Sequence, residues 1–270
     1  MSPSVHVRPP AVAGMFYPAD ADALARDIQA YMAGAPTAKA EAPKALIVPH
    51  AGYIYSGAVA ARAYALLSPA RQAIRRVVLL GPAHRVPIRG LALPVAEAFA
   101  TPLGSVPIDE EGARAALALP QVSASDVAHS LEHSLEVQVP FLQTVLDDFT
   151  LLPFAVGAAT PAQVAEVLDL LWGGPETLIL ISSDLSHFHD YALAQGIDRN
   201  TAAEILALEP GLDHEQACGA TPINGLLICA KRRGMNIELL DLRNSGDTAG
   251  DRSRVVGYAA FVLTEAGSPG

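Results

Sequence analysis

Seven short aliphatic runs punctuate the chain: 45–48, 77–80, 91–95, 151–156, 178–182, 237–242 and 255–263. Most lack the apolar/polar alternation of a half-solvated strand, as expected of strands covered on both faces. Helical patterns lie between them. Residues 20–32 open with acidic residues and stop before Gly34, and 56–67 is rich in alanine. Residues 160–172 start with Thr160 and Pro161 and stop at Gly173. Residues 221–233 repeat that grammar, with Pro222 inside the start and Gly234 past the end. Proline in the first turn and glycine past the last mark helix boundaries. Lys231, Arg232 and Arg233 sit where a helix dipole favours cations. Strands alternating with helices predict an α/β fold, with a central mostly parallel or mixed sheet flanked by helices on both faces.

The 270 residues suit one domain, and no fixed-period repeat divides them. The Ala/Pro-rich stretch 33–43 reads as a surface connection, and the tail 267–270 as frayed. Hydrophobic residues make up 51% and charged residues 17%, which excludes general disorder. The net charge is −10, with 11 basic and 10 acidic residues in 1–135 against 7 and 18 in 136–270. This balance argues against nucleic acid and anionic membrane as partners. Neither a basic-then-apolar leader nor an apolar run of spanning length is read, so a cytoplasmic protein is expected. Two cysteines make no disulfide framework and fit a reducing setting.

Chemistry collects where strands end. Run 45–48 leads to His50, run 77–80 to His84, and run 178–182 to Asp184 and His187. In open α/β sheets ligands bind beyond the carboxyl ends of strands, so these groups are expected on one rim. Gathered imidazoles suggest Zn, Cu, Fe or Ni, although one such histidine alone is more often a hydrogen-bonded loop residue. Cys218 precedes a helix start, where the dipole favours thiolate; it reads equally as a metal ligand, a nucleophile or an inert small residue. Cys229, inside the helical pattern, reads as core.

The segment 129–140 carries His129, Glu132, His133 and Glu136. On a helix His129 and His133 would share a face. One of these groups could support a metal ligand or act as acid or base, while Ser130 or Ser134 could cap the run that follows. A solvated helix start is the plainer reading. The stretch 243–254 reads as a loop that shapes a pocket wall or holds an anion through Arg252 and Arg254. No P-loop or GxGxxG spacing occurs, so nucleotide cofactors lack support.

Further stretches carry a resemblance: 13–18 (AGMFYP), 49–57 (PHAGYIYSG), 81–84 (GPAH), 132–138 (EHSLEVQ), 182–187 (SSDLSH), Cys218-Gly219 with Pro222-Ile223, and 244–258. In this order they are similar to the Memo family, known in bacteria and archaea as AmmeMemoRadiSam system protein B. The resemblance implies one domain with a fold related to class III extradiol (LigB-type) dioxygenases. It implies His50, His84 and Cys218 as metal ligands, with His187 moving protons, Asp184 orienting a ligand, and Fe(II), Cu or Zn as occupant. Tyr17, Tyr53, Tyr55, His133 and Glu136 would line the pocket. The implied function is a redox or oxygen-activating metalloprotein. The alternative is a scaffold that holds a peptide or partner in the same pocket without turnover. A hydrolase with Cys218 as nucleophile ranks below both, since it leaves His50 and His84 idle. Small molecules or peptides, an AMMECR1-like protein and a radical SAM enzyme are the implied partners.

Overall fold

A computed structural model describes residues 5–35 and 42–265. The tail call at 267–270 and most of the 33–43 call lie outside these residues. The chain opens with a two-residue strand β1 (Val7–Arg8) and helix α1 (Ala21–Ala33). It continues through β2 (Ala45–Val48), α2 (Tyr53–Tyr64), β3 (Arg76–Pro82), β4 (Leu91–Leu93), β5 (Ala98–Thr101) and β6 (Gly104–Pro107). Next come α3 (Glu110–Ala116), β7 (Val122–Ala124), α4 (Asp126–Ser130), α5 (Val139–Val145), β8 (Thr150–Val156) and α6 (Pro161–Leu171). The last elements are β9 (Thr177–Ser182), β10 (His187–His189), α7 (Tyr191–Leu206), α8 (Ala220–Arg233), β11 (Asn236–Asn244), α9 (Ser245–Thr248) and β12 (Val255–Thr264).

Among the described residues, one large mixed sheet runs β10-β12-β2-β9-β3-β8-β4-β7, with β11 paired to β12. Its centre, β2-β9-β3-β8, is parallel, while β12 and β4 run antiparallel to the strands they flank. The sheet is the mixed α/β form expected. A small second sheet, β1-β5-β6, is set apart from it.

The unbroken aliphatic runs follow from burial on both faces. Leu46, Val48, Leu79, Leu178 and Leu180 join one apolar cluster with α1, α2 and α5. Ala45, Ile47, Val78, Leu80, Ile179 and Ile181 join the other with α6 and α8. A strand between two such layers gains by being apolar at every position, because neither face meets water.

Local signals fix several boundaries. Thr160 caps α6 in a reciprocal box with Gln163, with Pro161 at the first position. Gly234 ends α8 in the left-handed conformation at φ 63°. Helix α2 begins at Tyr53 rather than Ser56, because Gly52 is its N-cap and the Tyr53 N–H bonds to the Phe16 carbonyl. Past Tyr64 the last turns tighten into a 3-10 stretch, Ala65–Ala70, that contains Pro69. No helix among the described residues is long and apolar enough to cross a membrane.

Candidate metal centre

Three adjacent parallel strands, β2, β9 and β3, deliver their carboxyl ends to one rim. His50 follows β2, His84 follows β3, and the run from Ser183 to His187 follows β9. A fourth segment, between α4 and α5, brings His133 to the same place. One nitrogen from each of His50, His84 and His133 lies within 4.8 Å of the others, so this group could hold a metal ion. The rings stand 5.2 Å apart (His50–His84), 5.5 Å (His50–His133) and 4.7 Å (His84–His133). Burial is graded: His50 is buried, His133 half-buried and His84 exposed, so the group opens to solvent on the His84 side.

The neighbours decide which nitrogen each ring offers. Ser182 Oγ donates its one proton to the Ser134 carbonyl at 2.6 Å. It therefore only accepts from Gln138 Nε2 (2.8 Å) and from His50 Nδ1 (2.9 Å). His50 thus carries its proton on Nδ1 and keeps a lone pair on Nε2. His84 is set in the same sense by Glu132: Nδ1 donates to Oε1 at 2.9 Å, and the His84 main-chain N–H to Oε2 at 2.5 Å. A carboxylate behind a metal-facing imidazole fixes tautomer and ring direction. His133 Nδ1 is buried without a hydrogen bond, 3.5 Å from Glu132 Oε1.

Charge states suit a cation site. Burial, then the facing His84, pushes His50 down to about 3, and burial with His50 beside it pushes His133 down to about 4. Both rings are neutral near pH 7. Burial works to raise the Glu132 carboxyl, but hydrogen bonds from His84 and Ser134 outweigh it and hold it at about 2. Asp184, buried, is raised by desolvation although its Oδ1 accepts the His50 main-chain N–H at 2.8 Å. Its Oδ2 lies 3.9 Å from His50 Nε2.

Cys218 reaches the rim from the loop before α8, with Sγ 3.4 Å from His50 Nε2. Gly219 makes that approach possible: it donates to Ser183 Oγ at 2.8 Å, and a Cβ there would stand 2.6 Å from Ser183 Cβ. Burial, then the Asp184 charge, pushes the thiol up to about 12, so Cys218 is protonated until a cation is near. His187 Nδ1 donates to the Leu185 carbonyl at 2.8 Å, which leaves its Nε2 as acceptor.

Tyr17, Tyr53 and Glu136, expected to line a pocket, are buried. The Tyr17 hydroxyl donates to Glu136 Oε1 at 2.5 Å and that of Tyr53 to the Val137 carbonyl at 2.7 Å; both rings are core. Glu136 is fully buried against Arg8 rather than open to a pocket. Tyr55 is half-buried in the first turn of α2. His129 and His133 do not share a helix face, because α4 ends at Ser130; His129 Nε2 instead pairs with the Ala92 carbonyl at 2.9 Å. Neither Ser130 nor Ser134 caps a helix: their hydroxyls donate to the Val127 and Pro82 carbonyls. Arg252 and Arg254 lie over the rings of Tyr191 and Phe188. Sequence reasoning gave His133 a place in the pocket or a supporting or acid/base role rather than that of a ligand, and assigned no role to Ser182, Gln138 or Arg8. Its one available signal was the Glu132-His133 pair inside a polar segment.

Known proteins match the chain along almost its whole length. A family model described as Memo-like protein matches residues 8–262. The MEMO1 family protein Mbar_A1422 of Methanosarcina barkeri is 36% identical over 274 residues, covering 95% of this chain and all of that one. A MEMO1 family protein of Aquifex aeolicus is 35% identical over 282 residues, covering 96% and 100%. The crystal structure of the uncharacterized protein JW3007 from Escherichia coli K12 shares the fold at TM-score 0.50 and 16% identity, over 79% of this chain and 98% of that one. Matched from residue 8 to residue 262, and more than a third identical to relatives along almost their whole length, the chain belongs to the Memo family.

Proposed function

We propose that this chain is a transition-metal-binding protein of redox or oxygen-activating type, with His50, His84 and His133 holding the ion and Cys218 joining them as thiolate. The observation that carries the reading is the convergence of three imidazoles, with Nδ1 of His50 and of His84 engaged behind the ring so that Nε2 is the nitrogen each turns to the shared site. Neutral imidazole suits Fe, Cu and Zn, and a nearby thiolate shifts the preference towards Cu(I) and Zn. A bound ion of this kind would supply Lewis acidity and, if iron or copper, one-electron chemistry.

The chain's own groups do the rest. Glu132 and Ser182 hold His84 and His50 in direction, and Asp184 fixes the turn at His50 through its main-chain N–H. His187, with Nε2 open, is the group that takes up or returns a proton. Cys218 gives up its proton when it becomes a ligand, so binding through it releases acid and weakens as pH falls.

The test is titration of metal-free protein with Zn2+, Cu(I) and Fe(II) under anaerobic conditions. One ion per chain is expected, with affinity lowered at least about tenfold in His84→Ala and in His133→Ala. Equal binding by both variants, or none by the parent chain, would remove the reading. Oxygen uptake by the Fe(II)-loaded and Cu(I)-loaded chain then separates an oxygen-activating centre from a static one.

A further inference from the structure

The AGMFYP stretch at 13–18 and the strand before it hold none of the clustered imidazoles, yet they are built around the segment that carries His133. The Arg8 guanidinium is buried and donates in three directions. Its Nε and Nη2 reach the His129 carbonyl at 3.0 and 2.9 Å, Nη2 reaches the Glu132 carbonyl at 2.8 Å, and Nη1 pairs with the Glu136 carboxylate. One side chain thus ties together the start, middle and end of 129–136. Glu136, buried at the far end, also accepts from Ala11 N–H (2.7 Å), Val12 N–H (3.0 Å) and the Tyr17 hydroxyl (2.5 Å). The strap turns at Gly14, whose φ of +80° favours glycine, and lays the Phe16 ring 4.7 Å from His133.

We propose that Arg8 and Glu136 are positioning residues of the metal centre: they fix segment 129–136, and so the place of His133 and of the Glu132 carboxylate that directs His84. The inference rests on the metal-binding reading of that site. A buried ion pair is poor evidence of stability as such, because desolvation offsets the attraction. Here the guanidinium's remaining bonds go to main-chain carbonyls of the segment that bears His133, so what the pair governs is where that segment sits. Metal sites need their ligands held to within about half an ångström. Among the described residues the ion pair and the two carbonyl contacts hold 129–136 to the strap at both ends.

The test is Zn2+ affinity by competition with a chromophoric chelator, which needs no turnover. Arg8→Lys keeps the charge but loses the planar fork that reaches both carbonyls and carboxylate. Glu136→Gln keeps the shape and loses the charge. Tyr17→Phe removes one hydrogen bond to Glu136 and keeps the ring in the core, so it reports the coupling in the mildest form. Lys44→Met, which disturbs a buried cation elsewhere, is the control for stability alone. Arg8→Lys and Glu136→Gln are expected to bind Zn2+ about 10- to 100-fold more weakly, Tyr17→Phe several-fold more weakly, and Lys44→Met like the parent chain. Affinities in the folded Arg8, Glu136 and Tyr17 variants within twofold of the parent would overturn the proposal. So would a Lys44→Met loss as large as theirs; and if Arg8→Lys and Glu136→Gln fail to fold, parent-like binding by Tyr17→Phe overturns it. A parent chain that binds no Zn2+, Cu(I) or Fe(II) would remove the metal reading itself, which is a different failure.

Discussion

His129 and His133, four positions apart, end in opposite roles. His129 is packed into the core with Nε2 on the Ala92 carbonyl, and His133 stands among the clustered imidazoles. Both are pushed down to about 4 by burial, and His50 to about 3, against 6.5 for a free ring. Between those values and 6.5 the unfolded chain takes up protons that the folded chain refuses. Stability therefore rises with pH through that window and is lost as pH falls from 6.5 towards 4. His129 alone accounts for on the order of 3 kcal/mol of that loss by the bottom of the window. Denaturant midpoints of metal-free protein from pH 4.5 to 7.5 should fall steadily on acidification, and a flat profile would contradict the burial of these rings as neutral groups. His50, His84, Asp184, His187 and Cys218 were legible in the sequence because each lies directly beyond a strand end or before a helix start. His133 was legible as a pocket residue but not as a member of the imidazole cluster, because what brings it to the rim is Arg8, more than a hundred residues away in the chain, and no local pattern records that contact.

The aliphatic runs located seven strands of the large sheet to within a residue or two, and missed its two short edge strands, β7 and β10, which are three residues each and are not apolar throughout. The small sheet was missed because β1 is two residues long and pairs with β5, about ninety positions on. A buried lysine also escaped notice. Lys44, one residue before β2, donates Nζ to the carbonyls of Trp172, Gly174 and Thr177 at 2.6, 2.8 and 2.9 Å, and more weakly to Gly173. It thereby closes the carboxyl end of α6, where a cation is favoured. Lys44→Met should cost about 1–3 kcal/mol in chemical denaturation, because those carbonyls lose a buried donor; a change below the error of the measurement would show that water replaces it freely. At the opposite edge of the sheet, on the rim itself, Gly219→Ala forces α8 away from Ser183 and carries Cys218 off His50. With Cu(II) as probe, the expected result is a weakened thiolate-to-metal absorption band in Gly219→Ala and none in Cys218→Ser. An undiminished band in Cys218→Ser would mean the sulfur is no ligand.

The molecule as a whole puts one opening of chemical interest at the carboxyl edge of its parallel strands, with the N-terminal strap folded back over the segment that supplies the third imidazole. Such an arrangement draws on residues near 8, 50, 84, 133, 184 and 218, spread along almost the whole length over which the chain matches Memo relatives. The acidic surplus of the second half leaves the rim's cation-binding reading intact, since His50 and His133 are neutral and Cys218 is protonated near pH 7, with the Glu132 carboxylate behind them. The most direct measurement is an anomalous-scattering scan across the Fe, Cu and Zn edges on a crystal of protein purified without chelators and then loaded with each metal. The account predicts one strong peak within bonding distance of nitrogens of His50, His84 and His133, with the Cys218 sulfur beside it. Full-occupancy metal at another place, or no peak on this rim after every loading, would contradict it.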